Sequence, residues 1–451
     1  MRRARLAVPL AAGGGLGLLI AAQTQLQVQR LGALVVLALA AGLFLTLVAA
    51  YVAPDERAAP EASVRQRRPV RPAPLVLAVA CALVTWFTTG GGVFTLPSVI
   101  AWPLSIGAWC WAWWPASEAR GSWRPRLERP VLWALLAVVA LGAFFRFYRL
   151  ASVPGDPTSD QAEKLLDIRD VDDGQHPIFF ARNAGREPAQ FYFTYVLMKV
   201  FGLSLSFETL KLGTALIGVA AIVAVLLFAS EVAGRFAGVT AAALFAVSSW
   251  PVATARIGLR FPYAPLAAAL ALWLLLRYLR HGDRRDALAR GVVLGLGLYG
   301  YTPFRVVPLL ALLLLGLALV VRRHDHAYVR RAAADGGVLF GGALIASLPL
   351  LHYAVRYWEV FSYRAATRTE IQSFGNAVET FADNTVNGLL AFNWRGDRAW
   401  IVSVPFDPLL DLVTAGALLA GLVLVCYRTA RRDLVSAGLC SVGSCCSCRR
   451  P

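Results

Sequence analysis

The stretch GALVVLALAAGLFLTLVAAYVA, Gly32 to Ala53, runs for 22 residues without a charge. A helix needs about 20 apolar residues to cross a bilayer, and inside lipid only a helix or a closed barrel satisfies every backbone N–H and C=O. The run is one of about a dozen hydrophobic segments, near 5–22, 32–53, 75–90, 93–114, 131–147, 190–203, 209–230, 237–254, 262–279, 288–303, 305–321, 336–355 and 407–427. With 58% hydrophobic and only 16% charged residues, the chain is too apolar for a soluble protein. The expected fold is all-α: a polytopic transmembrane helical bundle of about 12–13 hydrophobic segments, with a long extracytoplasmic loop carrying short amphipathic helices.

The net charge of +17 could point to a nucleic-acid partner, but its distribution gives it a topological cause. Arg is packed into MRRAR, 54–73, 115–130, 280–290, 322–331 and 428–433, and these short loops alternate with Arg-poor ones. Basic loops stay on the cytoplasmic side, so no nucleic acid is expected. The chain is read as a multi-pass plasma-membrane protein with a cytoplasmic N-terminus. Arg2, Arg3 and Arg5 ahead of an apolar run could open a signal peptide, but a retained first helix fits the many spans that follow. WCWAWW at Trp109 to Trp114 reads as an interfacial aromatic belt.

This orientation puts residues 148–189 outside, with eight of the 27 acidic residues: Asp156, Asp160, Glu163, Asp167, Asp170, Asp172, Asp173 and Glu187. It also exposes a conflict. The loop Thr254 to Phe261 belongs outside too, yet three hydrophobic segments lie between the two, and three crossings cannot return a chain to the side it left. The shortest, Gln190 to Leu203, spans roughly 21 Å as a helix and is read as juxtamembrane or re-entrant; an unequal split of 209–254 is the other solution.

Residues 1–130 form an N-terminal region of about four helices with no loop large enough for a site. Residues 131–430 hold the acidic loop 148–189, a helical bundle and a second outer loop at 356–406. Residues 431–451 are atypical: four of the seven cysteines, Cys440, Cys445, Cys446 and Cys448, crowd a Ser/Gly string that offers no evident thiolate metal site and reads as a truncated or out-of-frame end. No internal repeat suggests the paired halves of many secondary transporters.

Within PGDPTSDQAEKLLDIRDV (Pro154 to Val171), Thr158 and Gln161 form a T-x-x-Q capping box, which predicts a short helix. Its spacing places Asp160, Glu163, Lys164 and Asp167 on one face, expected to point to water while the helix lies on the membrane surface. Asp160 falls in the first turn, where unpaired N–H groups and the helix dipole attract a carboxylate, and an ionised carboxylate can act as a base. A solvated acidic face with an ordinary cap explains the same residues. Glu187, before Pro188, is either a helix start or a second carboxylate on the same cavity. In ATARIGLRFPYAPL, Arg256 and Arg260 are four apart and are expected to share a helical face, and Arg305 in LYGYTPFRVVP falls on the same side. Arg forks suit phosphate oxygens, and snorkelling to the interface is the plainer use.

Taken in order, FRFYRLASVPGDPTSDQAEK, HPIFFARNAGREPAQFYF, VSSWPVATARIGLRFPYAPL and GLGLYGYTPFRVVPLL resemble the C-type glycosyltransferase superfamily, in its protein-O-mannosyltransferase and aminoarabinose-transferase-like branch, over about residues 131–430. The resemblance implies a polytopic enzyme that takes a sugar from a polyprenyl-phosphate donor on the outer face of the membrane. It implies an acceptor that is a lipid, protein or glycan, and no cofactor or metal. Asp160 holds the place of the family's catalytic Asp, with Gln161 where its Glu would stand. Glu187 matches the acidic residue before Pro in the next motif and is expected to be catalytic together with Asp160. The Ser-Arg and downstream Arg of the next outer loop are Ala255, Arg256 and Arg260, with Arg305 as a third phosphate contact. The segment FADNTVNGLLAFNWRGDRAW resembles a later family loop in which Asn387, Asn393 and Asp397 would meet the acceptor. The implied reaction is inverting transfer with Asp160 as base and release of polyprenyl phosphate. A polytopic transporter or lipid flippase, or a truncated inactive homologue, are the alternatives; helix centres nearly free of charge count against the first.

Overall fold

The structure is a computed structural model and describes residues 2–27, 33–52, 70–115, 129–321, 323–368, 374–396 and 405–424. Its helices are α1 (Arg2–Gln27), α2 (Ala33–Val52), α3 (Pro72–Thr88), α4 (Leu96–Trp113), α5 (Arg129–Phe147), α6 (Ser159–Asp172), α7 (Ala189–Phe201), α8 (Phe207–Ala233), α9 (Arg235–Val247), α10 (Ser249–Arg256), α11 (Tyr263–His281), α12 (Arg284–Gly297), α13 (Val306–Val321), α14 (His326–Arg356), α15 (Trp358–Arg368) and α16 (Phe374–Asn393), with a 3-10 turn at Thr302–Arg305. The fold is therefore all-α and polytopic. Among the described residues four helices are long and apolar enough to cross a membrane, Arg129–Phe147, Phe207–Ala233, Thr302–Val320 and His326–Arg356; the pair α9 and α10, bent by 54°, is a fifth if it is one broken span and not a re-entrant loop. The Cys-rich tail lies outside the described residues.

Caps written in the sequence set many of these boundaries. Asp283 and Asp325 accept from Arg285 N and Tyr328 N, both at 2.9 Å, at the starts of α12 and α14. Gly202 and Gly282 close α7 and α11 at φ of 64° and 62°, left-handed values that cost glycine nothing.

The chain divides into two compact units: residues 1–58, 248–250 and 373–451, and residues 59–247 and 251–372. In the first, α1 and α2 approach closely, because a Cβ added at Gly15 would meet Thr46 and the Gly42 carbonyl within about 3 Å. Asn393 of α16 donates to Gln23 Oε1 at 3.0 Å and to the Ala415 carbonyl at 3.2 Å.

Among the described residues the second unit holds five apolar cores, of which three join its main helices. Leu135, Val138, Ile222, Leu226, Ala242 and Ala246 join α5, α8 and α9. Ala271, Leu275, Leu294, Phe304, Ala311 and Leu339 join α11 to α14. Ile168, Val171, Phe180, Phe191, Met198 and Leu210 give the acidic loop a core of its own against α7 and α8. Where α9 breaks, its last carbonyls lose their helical partners, and the buried Arg146 of α5 takes them, donating to Ala246 O at 2.9 Å and Phe245 O at 3.3 Å.

The contacts of α7 bear on the crossing conflict. Its start is tied to Tyr299 O through Ala189 N at 3.0 Å. Its end is tied back to α6 through Lys199 and Asp172, 2.5 Å apart. Lys211, one turn into α8, donates to Ala151 O at 3.1 Å and Pro154 O at 3.0 Å. Both ends of α7 thus stay with the acidic loop, and α8 with the bent α9–α10 pair gives an even number of crossings if that pair is one broken span and not a re-entrant loop. At the far end of α11, the basic loop is matched by carboxylates: Arg277 with Asp286 at 3.0 Å, Arg280 with Glu231 at 2.9 Å and Arg284 with Asp335 at 3.1 Å.

Candidate active site

The helix foreseen in the acidic loop is α6, with Thr158 as N-cap and Gln161 Oε1 accepting from Thr158 N at 2.9 Å. Gln161 also donates through Nε2 to the Ile257 carbonyl at 2.9 Å, fastening the start of α6 to the loop after α10. A glutamate in its place would present an acceptor to that carbonyl, so the amide is what this contact needs. Asp160 lies half-buried in the first turn, and Asn183 donates to its Oδ1.

The polar face of α6 does not point to water, which corrects the sequence expectation. Gln161, Lys164 and Asp167 are buried, while Ala162, Leu166 and Arg169 are exposed. The cause is the hairpin that follows. Phe180 and Arg186 exchange backbone hydrogen bonds of 3.0 and 2.7 Å, and the turn between them folds over α6. Arg186, fully buried, reaches Asp167 at 3.0 Å and pairs with Glu163; Arg182 reaches Asp167 at 2.9 Å and pairs with Asp170. Opposite charges thus cover a face that α6 alone would leave solvated. Lys164 Nζ donates to the Asp160 carbonyl at 2.8 Å. Burial, reinforced by Arg186 and Arg260 and opposed by Asp160 and Asp167, pulls the Lys164 ammonium down to about 7.

Glu187 directly follows the Phe180–Arg186 bridge and is 1% exposed. Both of its oxygens are occupied: Arg260 Nη1 donates at 2.6 Å to one, and Thr302 Oγ1 at 2.7 Å and Arg305 Nη2 at 3.1 Å donate to the other. One carboxylate shared by two guanidinium groups leaves a net positive cluster. Arg260 is buried against Tyr301, and burial brings it down to about 10, still charged at neutral pH. Arg305 is a third exposed and stacks over Phe361 at 4.3 Å. Beside them opens a cavity of about 210 Å³ lined by Phe179, Gly185, Glu187, Thr302, Arg305, Phe361 and Arg364.

Arg256 makes other contacts. Chain direction changes after α10, with Gly258 at φ 69°, so Arg256 and Arg260 do not continue one helical face as their spacing suggested. The Arg256 guanidinium donates to Phe145 O at 2.6 Å, Tyr148 O at 2.9 Å, Val153 O at 3.0 Å and Arg149 O at 3.4 Å, capping the end of α5. Asn387 is exposed on α16, Asn393 makes the hydrogen bonds to Gln23 and Ala415, and Asp397 lies outside the described residues. Asn183, Thr302 and Arg364 are site residues that the sequence reading passed over. Only the turn composition of Arg182-Asn183-Ala184-Gly185 hinted at the first.

These groups come together from four separate motifs, and comparison with known proteins bears on the same stretch. Residues 176–351 match the family model described as dolichyl-phosphate-mannose-protein mannosyltransferase. The match supports the C-type glycosyltransferase resemblance. It covers the hairpin, Glu187, Arg260, Thr302 and Arg305, and begins after Asp160. No curated protein and no solved structure matches the chain. The family match points to a membrane glycosyltransferase of the mannosyltransferase type, and implies a polyprenyl-phosphate-linked sugar as donor.

Proposed function

We propose that this protein transfers a sugar from a polyprenyl-phosphate donor to an acceptor on the extracytoplasmic face of the plasma membrane, with inversion at the anomeric carbon and Asp160 as base. One observation carries the reading. Asp160 opens α6 at the same end of the bundle as the positive Glu187–Arg260–Arg305 cluster and its cavity. A carboxylate near a fixed anion site matches what displacement of a phosphate leaving group requires.

The step divides between the two clusters. The acceptor O–H bond breaks toward Asp160 as its oxygen bonds to the anomeric carbon, and the bond from that carbon to phosphate oxygen breaks on the opposite face. Arg305, with Arg260 behind it and Arg364 across the cavity, meets the charge that develops on the departing phosphate. Donors already in place for that charge lower the barrier without reorganisation. Glu187 is spent in hydrogen bonds and acts as the anchor that fixes both arginines, in place of the catalytic role its position suggests. The cavity is smaller than the roughly 300 Å³ where drug-sized pockets begin, which suits a phosphate or one sugar ring with the prenyl chain left in lipid.

The test is sugar transfer from mannosyl polyprenyl phosphate in membrane vesicles containing the full chain. Asp160→Asn abolishes transfer while protein abundance stays the same; full transfer by that variant rules out Asp160 as the base.

A further inference from the structure

The hairpin tip that meets Asp160 is unusual in its backbone. Asn183 and Ala184 both have positive φ, 47° and 63°, followed by Gly185 at 89°. Left-handed conformations cost a non-glycine residue roughly 1–2 kcal/mol, and such runs persist only where the surroundings impose them. Here the surroundings are explicit. The stem is closed by the Phe180–Arg186 pair, the turn by Gly185 N donating to Arg182 O at 3.2 Å, and both flanking arginines are held by carboxylates of α6. A Cβ on Gly185 would stand 2.7 Å from the Phe179 ring. Arg364 adds a long contact, Nη1 to the Asn183 carbonyl at 3.5 Å.

All of these restraints converge on one side chain. Asn183 Nδ2 donates to Asp160 Oδ1, and Oδ2 of Asp160 takes no hydrogen bond among the described residues. We propose that Asn183 is a positioning residue for Asp160, its amide clamping one carboxylate oxygen so that the other faces the acceptor's proton. The proposal rests on the Asp160 role stated above. Asn suits the post for two physical reasons: its short amide tolerates the left-handed backbone, and it donates without adding charge beside a carboxylate. The neighbouring Gln161 cannot serve, because its amide is committed to the Ile257 carbonyl.

Three variants of the full chain in vesicles test this, with mannosyl polyprenyl phosphate as donor. Asn183→Gly keeps the backbone conformation and removes the donor. The expected result is a kcat about ten- to a hundred-fold lower, the loss of one hydrogen bond to a charged group, with donor KM and thermal stability unchanged. Asn183→Asp also accepts the left-handed backbone but sets carboxylate against carboxylate, and its kcat falls below that of Asn183→Gly. Asn183→Ala loses stability as well, through backbone strain. A residue that serves only the turn gives the opposite pattern, with the Gly and Asp variants at wild-type kcat and only Ala impaired, and that result overturns the proposal. Should Asp160→Asn retain full activity, the base assignment itself falls; should Asp160→Asn be inactive while Asn183→Gly is fully active, only the positioning role falls.

Discussion

Arg256, Arg260 and Arg305 show how one residue type takes different tasks from its surroundings. Arg305 is partly exposed on the cavity, and Arg305→Ala is expected to lower kcat/KM for the donor about ten- to a hundred-fold in vesicle kinetics, the value of a charge-assisted hydrogen bond, with thermal stability little changed. Arg256 satisfies backbone carbonyls around the end of α5, and Arg256→Ala is expected to cost about 1–3 kcal/mol of stability in denaturation while donor KM stays constant. Glu187 and the arginines could be picked out in sequence because they stand in short charged motifs between long apolar segments. Their sorting could not, because the spacing rule that pairs residues four apart holds only while a helix continues, and α10 ends at Arg256. Asn183 was hidden for a related reason: its role depends on a turn bringing it back onto a residue 23 positions earlier.

Helix α6 was readable in its boundary and misread in its orientation. Thr158 and Gln161 are local signals, and they cap the helix as their spacing predicts. Which face is buried depends on Arg182 and Arg186 arriving from the next hairpin, and no periodicity within α6 contains that information. The burial of Lys164 gives a measurable consequence. Its folded-state value, about 7, lies below the ordinary lysine value of about 10.4, so between these limits the unfolded chain binds more protons than the folded one. The cost of the buried charge is present in full below pH 7 and is relieved as pH rises toward 10. Thermal unfolding of the wild type is therefore expected to shift to higher temperature between pH 7 and 10 relative to Lys164→Met, which carries no titrating group; parallel curves for the two proteins contradict this account.

At the scale of the molecule, hydrophobic segments gave the helical class directly, and segment counting alone could not give the path. α7 returns to the loop it leaves, through contacts at Ala189, Lys199 and the start of α8 that join residues distant in sequence. That return puts Asp160, Glu187, Arg260 and Arg305 at one end of the bundle and the Arg-rich loop 280–290 at the other. The central claim is that this end is a sugar-transfer site served by a polyprenyl-phosphate donor from outside. The most direct measurement uses sealed proteoliposomes of the full chain, sorted by orientation, with a short-chain mannosyl prenyl phosphate and an acceptor supplied to one face only. The account predicts release of prenyl phosphate and labelled product when both are supplied at the face bearing the 148–189 loop, and none for Asp160→Asn. Equal turnover from either face, or turnover by Asp160→Asn, would contradict it.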